Sequence, residues 1–234
     1  MEWFEKAWAE PHKANQDDWV RAQETAKDLI ENFHLTPDLR ILDLACGQGL
    51  EAIALALSGF QIEGRDLSQA MLNFATEHSR LHKAEVKFMQ QDMRQIADTE
   101  TFDAVMLRDV IWGIFDAKTN RDILRRLKNA LKPNGKIIIE VYNKDVALEK
   151  QPIEGFLRFD AFSGRFSGKI LSQNGTEQSD ISLEMLTNVE WLETLSNMGF
   201  TNMQILSPLP FRKRGLDPSR SLINYVAAIS PATQ

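Results

Sequence analysis

Short apolar runs alternating with segments of helical period constrain this 234-residue chain more than any other feature. Residues Asp17 to Phe33 carry Trp19, Ala22, Ala26, Leu29, Ile30 and Phe33 at helical spacing, with Asp17 or Asp18 as the cap. After the Thr36-Pro37-Asp38 break, Ile41-Leu42-Asp43-Leu44-Ala45 is apolar, short and bounded by Gly47, which predicts a buried strand. A helix follows from Leu50 to Ser58 and stops at Gly59. The cycle then repeats. Phe60 to Gly64, Val86 to Met89, Phe102 to Leu107 and Ile137 to Val141 read as strands. Ser68 opens one intervening helix, and Thr119 or Asn120 caps another that runs to Leu131. A Pro133-Asn134-Gly135 turn leads into the fifth strand. Such alternation implies right-handed crossovers and a Rossmann-like, doubly wound α/β sheet.

The pattern changes after Tyr142. Residues 156–186 mix aromatic and aliphatic side chains in rough alternation, broken by Ser163-Gly164 and Asn174-Gly175, which are hairpin signals. Thr187 with Glu190 predicts a capping box, and its helix passes through Trp191 and Leu195 to Gly199. Two closing strands, Met203 to Leu206 and Leu222 to Ile229, are joined by a long connection that suits an antiparallel pair. The expected organisation is one domain over 1–234. It has a helical N-terminal lid (1–35), a core (38–142), an inserted β-rich flap (143–186) and a closing helix and strand pair (187–234).

Composition narrows the class. Apolar residues are 43% and charged residues 26%, as in globular proteins. No run nears the roughly 18 apolar residues of a membrane helix, and Met1 to Lys6 lacks the pattern of a secretory signal. A single cysteine, Cys46, excludes an internal disulfide. These features predict a cytoplasmic protein. A net charge of −6 argues against a broad nucleic-acid-binding face.

The segment Asp43-Leu44-Ala45-Cys46-Gly47-Gln48-Gly49 lies where the first strand turns into its helix, the ligand crevice of open α/β sheets. Gly47 to Ala52 also fits the G-x-G-x-x-A dinucleotide pattern, with Asp66 as the ribose-binding acid, so a nicotinamide-dependent oxidoreductase stays open. Asp43 weighs against it. A carboxylate there is poor electrostatics for a pyrophosphate and good electrostatics for an ammonium and a sulfonium. The ligand implied is cationic at one end and carries a ribose at the other.

Ile41 to Gly49 resembles the first motif of class I S-adenosylmethionine-dependent methyltransferases, in particular small bacterial-type members. Gly64-Arg65-Asp66-Leu67-Ser68 with Met71-Leu72 resembles their second motif, Gln90-Gln91-Asp92-Met93-Arg94 the third and Phe102-Asp103-Ala104-Val105 the fourth. Leu131 to Lys136 resembles the turn before strand five. The resemblance implies a seven-stranded sheet with one antiparallel C-terminal strand, and S-adenosyl-L-methionine as cofactor. It implies that Asp66 binds the ribose hydroxyls and Asp92 the adenine amino group, with Leu67 and Met93 near the ring and Met71 also at the cofactor. It also implies that Ala45, Gly47 and Gly49 line the methionine portion, that Asp43 orients its ammonium, and that Arg108 stands near the transferred methyl. Two departures, Leu50 and the stretch Asp109 to Phe115, fall on the acceptor side.

The function expected is in-line methyl transfer to a nitrogen or oxygen of a small molecule. Arg108 and Asp109 are the candidate catalytic residues; Glu140, His34 and Tyr142 are further candidates for a base. Trp19, Trp112, Tyr142, Phe156 and Arg158 are candidates for the acceptor pocket, with Phe159, Phe162 and Phe166 beside them. Trp3, Phe4, Trp8 and Trp19 suggest a lid or a packed helix. His78 and His82 suggest a solvated helix face; no metal is expected. Arg212-Lys213-Arg214 reads as a solvated loop. No nucleic-acid or membrane partner is expected, and the chain is read as a monomer or homodimer. A non-catalytic cofactor-binding protein is the remaining alternative.

Overall fold

The computed structural model describes residues 14–109, 111–153, 156–171, 178–206 and 222–232. The core elements alternate as α1 (Gln16–Asn32), β1 (Arg40–Leu44), α2 (Leu50–Leu57), β2 (Gln61–Asp66), α3 (Gln69–His82), β3 (Val86–Gln90), β4 (Phe102–Leu107), α4 (Ala117–Ala130) and β5 (Leu131–Tyr142). A short helix α5 (Lys144–Glu149) follows, then β6 (Arg158–Asp160), β7 (Arg165–Leu171) and β8 (Gln178–Leu183). The chain closes with α6 (Asn188–Asn197), β9 (Thr201–Leu206) and β10 (Ile223–Ile229).

The seven-stranded sheet has the order β3-β2-β1-β4-β5-β10-β9. β3, β2, β1, β4 and β5 pair parallel, while β10 runs antiparallel to both β5 and β9. Alternate residues of the central strands supply apolar side chains to both faces of the sheet. Leu42, Leu44, Val105, Leu107, Ile137 and Ile139 enter one core with Leu124 and Leu127 of α4 and Trp191 of α6. Ile41, Ala104, Met106 and Ile138 enter the other, with Leu29 of α1 and Leu55 of α2. Both faces are covered, as a doubly wound sheet requires.

Three local expectations are corrected. Asn15, with Asp18 completing a capping box, caps α1 in place of Asp17 or Asp18 alone. Asp116, accepting from the amides of Lys118 and Thr119, caps α4, which leaves Asn120 inside the helix for another task. The Pro133-Asn134-Gly135 turn is absorbed into β5 as an irregularity, across which the partner shifts from Leu131 to Lys136.

The insertion after β5 is a three-stranded antiparallel sheet, β6-β7-β8. Gly164, with φ +68°, makes its first turn as Ser163-Gly164 predicts; Asn174-Gly175 lies outside the described residues. Phe166, Ile181 and Leu183 face inward and join the α4-side core. Helix α5, capped by Asn143, leaves no clear signal in the sequence.

Candidate functional site

A cleft of about 610 Å³ opens at the carboxyl ends of β1, β2, β3 and β4. Its position follows from topology: β2 lies on one side of β1 and β4 on the other, so the connections diverge there and leave a crevice. The walls include Ala45 and Gly47, then Asp66, Leu67 and Met71, then Asp92 and Met93, and Arg108 with Asp109. Segments far apart in sequence therefore meet around one space.

The turn after β1 is wound tightly. Ala45, Gly47 and Gly49 all have positive φ, at +56°, +54° and +69°. The Cys46 amide donates to the Arg65 carbonyl at 3.1 Å, and the Gly49 amide to the Cys46 carbonyl at 2.9 Å. The two glycines differ in purpose. A Cβ on Gly47 meets nothing within 4 Å, because that side is the open cleft. A Cβ on Gly49 would come within 2.7 Å of the Phe88 ring, so Gly49 is required by packing and does not line the cleft. The sequence motif assigns both glycines one role; the structure separates them. Helix α2 then begins without a side-chain cap, which leaves its first amides to other acceptors.

Asp66 spans the crevice mouth. Its Oδ2 accepts from the Gly47 amide and its Oδ1 from the Ser68 amide, both at 2.8 Å. Burial raises its pKa, and those amides oppose the rise. Asp92 behaves differently: burial pushes its carboxyl up, but hydrogen bonds from Arg94 outweigh this and hold it below the usual range. The Arg94 guanidinium reaches Asp92 at 2.6 to 3.0 Å and lies 4.8 Å over the Phe115 ring.

Asp43 sits beneath the turn and is 4% exposed. Burial pushes it up to about 7, with Arg108 opposing and Glu51, Asp109 and Asp66 adding to the rise. Asp43 does not itself line the cleft. Arg108, 5% exposed, lies 3.4 Å from Glu51, 3.6 Å from Asp109 and 3.8 Å from Glu140. Burial works against its charge, but the surrounding Glu51, Tyr225, Asp109 and Glu140 keep it protonated. Its Nε is buried without a partner among the described residues. Glu140 is 0% exposed and accepts from the Asp109 amide at 3.0 Å, which holds Asp109 at φ +55°.

The residues named for the acceptor pocket are not brought to this cleft. Trp112 is buried against Trp191, with ring centroids 5.0 Å apart. Tyr142 is buried, Phe156 packs on the same core and Arg158 is exposed. Trp19 stacks on His82 at 3.8 Å, at the far end of α3. That end lies about 16 Å along the helix from Met71, at 1.5 Å rise per residue. His82 is thus half of an aromatic stack, and His78 lies edge-on to Phe74, so neither stands on a plain solvated face. Phe166 is core, Phe159 packs on it at 5.4 Å, and Phe162 is fully exposed at the hairpin tip. His34 lines a separate groove with Lys136 and Gln204. Neither Glu140 nor Tyr142 lines the cleft. Trp3, Phe4, Trp8 and Arg212-Lys213-Arg214 lie outside the described residues. The apolar wall that does face the cleft comes from Ile111, Ile114 and Phe115, with Gln90, Gln91, Ser68 and Ala70 completing the lining. The sequence signal for them is position alone: most lie within a few residues of a strand's carboxyl end.

This cleft geometry agrees with the comparison to known families. A family model described as a methyltransferase domain matches residues 35–189, which include all four cleft-lining strand ends. The chain belongs to the methyltransferase-domain family. The nicotinamide reading, which rests on the glycine pattern alone, gives way to it. YqeM of Bacillus subtilis (strain 168) is 37% identical over 121 residues, covering 50% of this chain and 48% of that protein. The chain spans about half the length of the curated relatives it matches first. Among solved structures, the CcbJ methyltransferase from Streptomyces caelestis aligns with TM-score 0.75 at 16% identity, covering 97% of this chain and 99% of that one. An S-adenosylmethionine-dependent methyltransferase from Clostridium acetobutylicum ATCC 824 aligns with TM-score 0.68 at 15% identity, covering 94% of each chain. At these identities the likeness speaks to fold.

Proposed function

We propose that this chain is an S-adenosylmethionine-dependent methyltransferase acting on a nitrogen or oxygen of a small-molecule acceptor. The observation that carries the reading is the charge layout of one cleft: Asp66 and Asp92 toward one end, and Asp43 beneath a turn whose Gly47 leaves open space. That layout fits a ligand with hydroxyls and an amino-bearing base at one end and a cationic group at the other. The cleft's 610 Å³ falls within the usual range for a nucleoside-sized ligand.

When bound, S-adenosylmethionine supplies an electrophilic methyl group on a sulfonium. Asp66 accepts from the ribose hydroxyls while its amide bonds keep the carboxylate aimed. Asp92 receives the base amino group, and Leu67, Met71, Met93 and Phe115 wall the ring. Ala45 and Gly47 line the methionine portion, with Asp43 orienting the ammonium from below. Arg108, which lines the cleft, stands near the transferred methyl. Asp109, exposed at the rim, is the group available to take a proton from an acceptor that arrives as a hydroxyl or ammonium. Positioning and exclusion of water do the rest.

The test is calorimetric titration with S-adenosylmethionine and S-adenosylhomocysteine, followed by label transfer to a panel of amines, alcohols and thiols. Absence of heat with both compounds refutes the reading. Binding with no transfer to any acceptor favours the non-catalytic alternative.

A further inference from the structure

Asn120 is 1% exposed in the first turn of α4, and its side chain bonds to the backbone of Phe115 in the cleft wall. It holds that residue at both polar groups: its Nδ2 donates to the Phe115 carbonyl at 2.9 Å, and its Oδ1 accepts from the Phe115 amide at 3.3 Å. The same Nδ2 donates to Glu184 Oε2 at 2.6 Å, just past β8 of the insertion. Glu184 also receives Arg121 at 3.1 Å, and its amide donates to the Gly113 carbonyl at 2.8 Å. Arg165 of β7 donates to that same carbonyl at 2.8 Å. The fit is close, since a Cβ on Gly113 would fall 2.0 Å from the Glu184 carbonyl oxygen. On the other side, the Phe115 ring receives the Arg94 guanidinium, which fixes both oxygens of Asp92.

We propose that Asn120 and Glu184 are positioning residues that tie the insertion to the base-recognising end of the cleft. This rests on the reading of Asp92 and Phe115 as the adenine site. The relay runs from Glu184 through Asn120 and Phe115 to Arg94 and Asp92. Each link is a buried or charge-assisted contact with one favoured geometry, so a displaced insertion moves the carboxylate that reads the base. By reciprocity, cofactor at that end stabilises one position of the insertion.

The test compares S-adenosylhomocysteine with its inosine counterpart, in which a carbonyl replaces the base amino group. Affinities are measured for the unaltered chain, Asn120→Ala, Glu184→Ala and the double variant. The expected result is that each single variant lowers the adenine-over-hypoxanthine preference by about five- to tenfold, and that the double variant loses little more than either single one. Three results overturn the proposal: both affinities falling in parallel, which marks a purely structural role; an unchanged preference; or additive losses. Glu184→Ala leaves both bonds from Asn120 to the Phe115 backbone in place and serves if Asn120→Ala does not fold. An unaltered chain that binds neither compound overturns the adenine site and the relay together. Failure confined to the variants overturns the relay alone.

Discussion

Replacing Asp43 by Asn tests the electrostatics of the cleft floor without any ligand. Its carboxyl is lifted from an ordinary 3.8 to about 7 by burial. The folded chain therefore holds a proton there, between about pH 4 and 7, that the unfolded chain has released. With more protons bound when folded, stability falls as pH rises through that window, by about 1.4 kcal/mol per pH unit. The whole cost approaches about 4 kcal/mol above pH 7. The uncharged carboxamide of the variant carries no such penalty, and other titrating groups cancel between the two proteins. In urea denaturation, the stability of Asp43→Asn relative to wild type should improve by about 3 kcal/mol between pH 5 and pH 8, two units of it below 7. A constant difference, or one that moves the other way, refutes the buried-acid argument. The same ionisation predicts that cofactor affinity in the wild type weakens as pH drops below 7, by up to about tenfold per unit.

Asp66→Ala should reduce S-adenosylhomocysteine affinity by at least about a hundredfold in calorimetry, since both the sugar contact and the bond to the Gly47 amide are lost. Gly49→Ala should cost about 2–4 kcal/mol in denaturant unfolding, because positive φ and the Phe88 contact add. Gly47→Ala, with open space at its Cβ, should cost only the backbone term of about 1 kcal/mol, yet weaken binding. Trp112→Ala should destabilise by about 3–5 kcal/mol while leaving cofactor affinity within about twofold, because the side chain is core against Trp191.

The end of the cleft proposed for the cofactor is legible in the sequence because its residues sit at strand ends, where chain order alone brings them together. Asp66, Asp92 and Arg108 each end or follow a strand, and all three line the cleft. The residues expected at the acceptor do not line it. Aromaticity marks Trp112 and Phe166 as pocket wall, but a large ring flanked by apolar neighbours is as suited to a core, and both are core here. Trp19 shows the same ambiguity: its periodicity predicts a helix correctly, but not that it stacks on His82 at the far end of α3. Asn120 looks like a helix cap, but Asp116 accepts the Lys118 and Thr119 amides and starts the helix four residues earlier. Asn120 then falls inside the helix, where its buried side chain holds Phe115. The β-rich insertion is visible in its alternation and in Ser163-Gly164, while α5, only six residues long, leaves too short a periodic signal.

Phe88 has a wider reach than its place on the edge strand suggests. Its ring stands 2.7 Å from where a Cβ would project at Gly49 and equally 2.7 Å from one at Gly64, on two neighbouring strand–turn units. A single phenyl thus acts as the gauge block that sets how deep the loop after β1 can settle. Enlarging or shrinking it would retune the crevice from behind, from a position outside the cleft lining.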